Sequence, residues 1–332
     1  MRRGLRIAVQ LALSVAIIGY LLWQIDVGKT ADQIASSSPL YLLPAVAIFI
    51  ATMWPQAWRW QILLASKGLH EPLGWLTKVY FVSTAAGQVL PATIGGDAVR
   101  IVEHARRRPT AKGEAAGAVL MERVVGSAGI LILVTVGLVL AMGRYENIEV
   151  LAQIELAFVA VIVLFGVLVF SRRTNSFLQE RVFPHSGALR FHRPLSSLWT
   201  ALHGYRSQRR ALVLVLAISV GVQFARTLAI WMCGEAVGLD LSPLVYIILG
   251  PLLFLVMMVP ITVNGIGVRE SFFVFFLGRF GVEPDAAFAV GFLFFAVTIA
   301  AAFPGGLILA WRSVRGGVPP ASRSEPARAN TR

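Results

Sequence analysis

The chain has 332 residues, of which 57% are hydrophobic and 14% charged, with a formal net charge of +13. A soluble domain carries about 25% charged residues, so this composition excludes an ordinary water-soluble fold and places the chain in lipid. The single cysteine, Cys233, excludes an intrachain disulfide and a cysteine-based zinc site, and is expected simply to pack between helices.

Arg2, Arg3 and Arg6 precede an apolar run at 7–25. That run exceeds the roughly 7–15 residues of a signal-peptide core, and no small-residue cleavage site follows closely, so it reads as a retained first span. Further runs at 39–60, 115–142, 150–170, 211–233 and 285–311 reach or approach the ~20 residues needed to cross the hydrocarbon core. The expected fold is an all-α polytopic membrane protein.

Lys and Arg collect on the cytoplasmic side of short loops. The N-terminal arginines therefore lie inside, and 26–38, with Lys29 alone, lies outside. The segments 59–78 and 100–114 are both basic, so the apolar stretch between them enters and leaves on the cytoplasmic side as a hairpin, 74–103. The arginine-rich loop 171–210 is inside; 234–242 carries Glu235 and Asp240 without a base and is outside. With the basic tail inside again, 243–281 has to dip in from outside and return. The result is six full spans and two re-entrant helical hairpins, with both termini in the cytoplasm of a bacterial or archaeal cytoplasmic membrane.

Each hairpin holds a copy of one motif, LPATIGGDAVR at 90–100 and VPITVNGIGVR at 259–269. Pro91/Pro260, Thr93/Thr262, Gly96/Gly265, Val99/Val268 and Arg100/Arg269 are identical in register. The same offset carries 39–60 onto a stretch overlapping 211–233 and carries 115–142 onto the last span; even QAWR at 56–59 has a partner in QFAR at 223–226. Two inverted-topology repeats follow. The first, 1–142, holds spans 7–25 and 39–60, hairpin 74–103 and span 115–142. The second, 143–311, holds span 150–170, the basic loop 171–210, span 211–233, hairpin 243–281 and span 285–311. A basic, disordered tail at 312–332 ends the chain.

Interrupted hydrophobic segments at matching places in two halves point to a transporter's binding site. A helix that restarts at a glycine presents unpaired amides with partial positive charge, ready for an anion. Copy one breaks at Gly95 and Gly96; copy two breaks at Asn264, Gly265, Ile266 and Gly267. Arg100 and Arg269 lie about one turn further on, where each could fork onto a phosphate. That gives one anion station per leaflet, in which Leu at Gly96 or Gly265 would fill the space for the anion and Arg269 would matter as much as Arg100. Plainer readings stand beside it. Arg100 begins the basic cluster Arg106–Arg108 on lipid headgroups, with Asp97 capping the half-helix; Arg269 and Glu270 form a local ion pair; Glu122 and Arg123 form a buried pair; Thr93 and Thr262 bond to carbonyls freed by the prolines. Gln88, Arg59 and Arg226 are secondary candidates, and Asp97, Glu103, Glu122 and Glu270 are the acids placed to titrate near a pathway.

In the basic loop, Leu195, Leu198, Trp199, Leu202 and Tyr205 share one helical face beside His203, Arg206, Arg209 and Arg210, as in an interfacial helix lying on anionic headgroups. Membrane lipids are thus the expected partners, a homo-oligomer stays open, and nucleic acid is not expected. No GxxxxGK[ST] phosphate loop, catalytic residue, metal site or cofactor site is expected.

At AWRWQILL (57–64), GQVLPATIGGDAVR (87–100), AVLMERVVG (118–126) and VNGIGVRESFF (263–273) the chain resembles the transmembrane domain of the lysylphosphatidylglycerol synthase/flippase family. The resemblance covers most of the chain and implies movement of aminoacylated or other polar lipids between leaflets. Family members with synthase activity add a large soluble domain; this chain looks like the stand-alone form, so the synthase activity is not carried over. The alternatives are a membrane-embedded transferase acting on a lipid and a non-catalytic accessory subunit.

Overall fold

The computed structural model describes residues 2–89, 95–143, 149–177, 192–259 and 261–314. Among them the fold is all-α. Helix α1 (Arg2–Gln24) meets α2 (Val27–Ala35) at a 95° bend, where Asp26 caps α2 by accepting from the Lys29 amide at 3.1 Å. The expected span at 39–60 is a helix pair, α3 (Pro39–Ala51) and α4 (Met53–Ala65), that together make one apolar run of 27 residues. The first hairpin is α5 (Leu73–Val89) and α6 (Gly95–Arg107), and it leads into the long α7 (Lys112–Ala141).

The second half opens with α8 (Glu149–Phe170), α9 (Arg172–Phe177) and α10 (His192–His203). Helix α11 (Arg209–Val237) ends at Gly238, whose φ of 85° gives the left-handed cap that a glycine adopts without strain. The second hairpin is α12 (Pro243–Met257) and α13 (Val268–Gly278), followed by α14 (Pro284–Val314). Among the described residues, five helical runs are long and apolar enough to cross a bilayer, or six if the bent pair α1–α2 is one span. The chain is a multi-pass membrane protein.

The two hairpins break for different local reasons. Helix α6 restarts at Gly95, and a Cβ on Gly96 would lie 2.7 Å from the Ser83 carbonyl oxygen, so this glycine lets the two limbs touch. In the second hairpin Asn264, Gly265 and Gly267 have φ of 51°, 70° and 84°, a left-handed run that turns the chain between α12 and α13. Leu at Gly96 or Gly265 therefore disturbs the hairpin itself, which corrects the expectation that it would only fill an anion's space. Thr93 and Pro260 lie outside the described residues. Thr262 is buried, and among the described residues its hydroxyl has no hydrogen-bond partner, so the expected bond to a freed carbonyl does not form.

Packing exchanges partners between the halves. Helix α5 lies on α14 and α12 lies on α7, while α3 and α4 pack along α11. Each long final helix receives the other half's hairpin at a glycine. A Cβ on Gly137 of α7 would meet Ile248 Cγ1 at 2.8 Å, and one on Gly305 of α14 would run into the Phe81 carbonyl oxygen. Close approach at small residues is how helices associate where lipid supplies no hydrophobic drive. The amphipathic α10 also packs on protein: Gly113 and Gly117 of α7 receive Ser197 and Ala201, and Tyr205 just beyond α10 is fully buried and donates to the Leu63 carbonyl. Its apolar face is therefore not free for headgroups, which corrects the interfacial reading; residues 178–191 of that loop lie outside the described residues.

Gly305→Ala is expected to destabilise the protein in detergent by about 3 kcal/mol or more, since backbone and not a movable side chain stands in the way. Gly306→Ala, with nothing within 4 Å of its new methyl, is the matched control and should leave the melting temperature unchanged or raised. Equal melting temperatures for the two variants would contradict the α5–α14 contact.

Candidate functional site

The charged residues of the apolar core converge between α4, α5, α6, α7 and α11. Helix α4 supplies Gln56 and Arg59, three positions apart and so on one face; α11 supplies Ser219, Gln223 and Arg226, again on one face. Glu122 of α7 is the hub. Its Oε1 accepts from Arg59 Nη2 at 2.8 Å and from the Tyr80 hydroxyl at 2.7 Å, and its Oε2 accepts from Arg100 Nη1 at 2.7 Å. Arg100 Nη2 donates to Asp97 Oδ1 at 2.6 Å, and Arg123 Nε donates to Asp97 Oδ2. Arg59 Nη1 reaches Ser219 Oγ at 2.7 Å.

Glu122 and Arg123 do not pair with each other, because each is taken up by partners on other helices, Glu122 by Arg59, Tyr80 and Arg100 and Arg123 by Asp97. Asp97, in the first turn of α6, is likewise taken up by two guanidiniums, and among the described residues it accepts from no backbone amide. Arg100 is 3% exposed and faces Tyr80 and Trp60, so it does not begin the headgroup cluster. Of that cluster, Arg107 and Arg108 hold the buried Glu71, and Arg106 pairs with Glu103, which Arg312 also contacts. Glu103 thus stands at the rim, away from the hub.

Arg226 differs from the other three arginines. Its Nη2 donates to Gln56 Oε1 at 3.1 Å, and its guanidinium lies 5.2 Å from the Phe49 ring centre and 5.7 Å from that of Phe254. Among the described residues it has no carboxylate partner. The four arginines and two acids line one cavity of about 220 Å³. An adjoining cavity of about 310 Å³ shares Asp97, Arg100, Arg123 and Arg226 with it and continues past Thr84 and Gln88 to Gly96 and Asn264. There Asn264 Nδ2 donates to Gln88 Oε1 at 2.6 Å and joins the two hairpins. The space thus carries four guanidiniums against two carboxylates. Uncompensated charge is costly in a low-dielectric site.

The second expected station does not form in the same way. Arg269 Nε donates to Glu270 Oε1 at 3.2 Å, and its guanidinium lies 4.5 Å from the Phe295 ring centre. Glu270 Oε2 accepts from the Gly267 amide at 2.7 Å, so the start of α13 already holds a carboxylate. Both residues are buried, and neither lines the charged cavities. The local-pair reading describes them. Gly265 and Gly267 serve the turn, and Gly95 opens α6. Gln56, Tyr80, Ser219 and Gln223 are site residues that the motif search did not single out. Gln56 and Gln223 sit in the short QAWR/QFAR match, a signal too brief to weigh alone; Tyr80 and Ser219 give none.

Residues 7–306 match the family described as Lysylphosphatidylglycerol synthase TM region. The chain is also similar to Glycosyltransferase AglD of Haloferax volcanii, with 31% identity over 156 residues. That match covers 45% of this chain and 24% of AglD, so the chain spans about a quarter of the length of this relative. No solved structure matches. With 7–306 matched from the first helix into the last, the chain belongs to the lysylphosphatidylglycerol synthase transmembrane-region family.

Proposed function

We propose that the protein moves a polar lipid between bilayer leaflets, with an anionic headgroup held in the charged cavity between the hairpins. The observation that carries this reading is the excess of guanidinium over carboxylate on the cavity walls, where the buried Arg59 and Arg100 are joined by the half-buried Arg123 and Arg226 against Asp97 and Glu122. An intramembrane charge is costly and marks a substrate or ion pathway. The exchange of packing partners between the halves supports two repeats with the boundaries 1–142 and 143–311, and the opposite charge of their loops supports inverted orientation in a bacterial or archaeal cytoplasmic membrane. On this reading the cavity is the fixed site about which the two repeats rock.

A lipid transferase is the alternative that the glycosyltransferase name of the relative raises. Transfer to a lipid hydroxyl needs a base, and both cavity carboxylates are held by two guanidiniums each. Carboxylates held in this way serve to orient arginines, their oxygens already committed as acceptors. The arrangement therefore favours holding an anion over activating a nucleophile.

In proteoliposomes, Arg226→Gln is expected to slow movement of a fluorescent anionic phospholipid at least about tenfold, the worth of one hydrogen bond to a charged group. Its melting temperature should fall less than that of Arg100→Gln, because it loses the hydrogen bond to Gln56 but no ion pair. Arg226→Lys should recover only part of the rate, keeping the charge without the fork. Arg100→Gln is expected to lose movement and also about 3–5 kcal/mol of stability, since it breaks a buried network. Wild-type movement in Arg226→Gln would remove the case for the cavity.

Single cysteines in intact cells, in a Cys233→Ala background, should be labelled by an impermeant maleimide within 234–242 and protected within 171–210. Labelling of both from one side would overturn the inverted arrangement.

A further inference from the structure

A second space, of opposite character, borders the turn of the second hairpin. The 95° bend between α1 and α2 leaves a cavity of about 370 Å³ against α14, lined by Leu22, Ala31 and one face of α14 that carries Phe288, Phe292 and Phe295. Both ends of α2 are tied down. The Asp26 amide donates to Asp285 Oδ1 of α14 at 2.8 Å, and just beyond α2 the Ser38 amide donates to the Ala236 carbonyl of α11 at 2.9 Å. These bonds hold the crook, and with it the space between α1, α2 and α14.

Among the described residues only Thr30 and Glu270 bring polar side chains to this lining, and both are already hydrogen-bonded: Thr30 Oγ1 donates to the Asp26 carbonyl at 3.0 Å, and Glu270 accepts from the Gly267 amide and from Arg269. A buried water keeps about two to four polar partners, so hydrocarbon suits this lining better than water. Leu22 and Phe292 are each 41% exposed, so the cavity opens at its edge, and in a membrane-spanning chain that edge meets lipid. One turn of a helix about 10 Å across and about 5.4 Å high takes up about 420 Å³, more than the cavity holds, whereas an acyl chain is one methylene wide. Ile266 lines this cavity and Asn264 lines the charged one, and two residues of chain span at most about 7 Å. We infer that the crook of α1 and α2 binds one acyl chain of a membrane lipid, next to the charged cavity across the turn of the second hairpin. The site would hold a chain whether or not the charged cavity holds a headgroup.

The test is photolabelling of the full-length protein in vesicles of phosphatidylglycerol and phosphatidylcholine that include a phosphatidylcholine with a diazirine midway along one acyl chain, the labelled residues being located by mass spectrometry. Leu156, 68% exposed and about two turns into α8 as Phe292 is into α14, reports ordinary contact with surrounding lipid. Label at Leu22 and Phe292 is expected to exceed that at Leu156 by about threefold or more, a modest factor because the chain gains packing contacts over bulk lipid and no relief from water. Ala31→Phe, which puts a ring into the cavity from an exposed position, should bring the ratio to about one. Ala35→Phe, one turn further along α2 and outside the lining, should leave it unchanged. Equal label at Leu22, Phe292 and Leu156 in wild type, or a wild-type ratio in Ala31→Phe, would overturn the acyl-chain site. Label at Leu22 and Phe292 that falls as the protein is packed more densely would place a second copy on this face and overturn it as well. None of these results touches the headgroup reading, which lipid movement in Arg226→Gln decides.

Discussion

A carboxylate in the apolar core of the molecule, Glu122, joins four helices. It accepts from Arg59 of α4, Tyr80 of α5 and Arg100 of α6 while standing on α7, and Arg59 carries the connection on to Ser219 of α11. Each ionised side chain at the centre of a bilayer costs about 2.5–3.5 kcal/mol on insertion scales. Six of them unpaired would exceed the 5–15 kcal/mol by which a folded domain is stable. The acids must therefore meet their arginines for the fold to exist, and that requirement fixes where the first hairpin sits against α4 and α7. Tyr80 and Arg100 can only arrive together if α5 and α6 double back on each other, which is what Gly96 against Ser83 permits.

The same economy explains the division between core and periphery. The central helices α3–α7 and α11–α14 bury their apolar residues against one another, whereas the most apolar window of α8 is only 11% buried and so faces lipid. Glycines at the crossings bring backbones close without losing volume on either side. Closeness also serves the site: the residues that line the cavity project from helices packed on one another.

Much of this was legible in the sequence because it is written in period, charge and repetition. Apolar runs and loop charge gave the helices and the hairpins, and the two motif copies gave the turns at Gly95 and Asn264. The network was harder to read. Arg59, Glu122 and Arg100 are separated by tens of residues, and nothing local says that an arginine in one helix will meet an acid in another. Tyr80 looks like any aromatic residue in an apolar helix, and Ser219 like any small residue at a crossing. Pairing Glu122 with Arg123 follows sequence adjacency, whereas each finds its partners on other helices. The α10 face failed for a related reason: an amphipathic stripe looks alike whether it lies on headgroups or on the end of α7.

The two motif copies are equivalent in pattern and unequal in chemistry, and the difference lies in where each keeps its acid. In copy one Asp97 precedes Arg100 by three positions, so acid and base share a helix face and Asp97 reaches Arg123 on α7 as well. Copy two has Ile266 at the corresponding place, and its acid, Glu270, follows Arg269 directly. From there the carboxylate turns back onto the Gly267 amide and takes the anion-binding position at the start of α13. The second hairpin thus neutralises its own helix end and its own arginine. The first shares its acids among several arginines and leaves a surplus. The charge surplus is thus confined to the surroundings of the first copy, beside the place where the Asn264 amide on Gln88 brings the hairpins together.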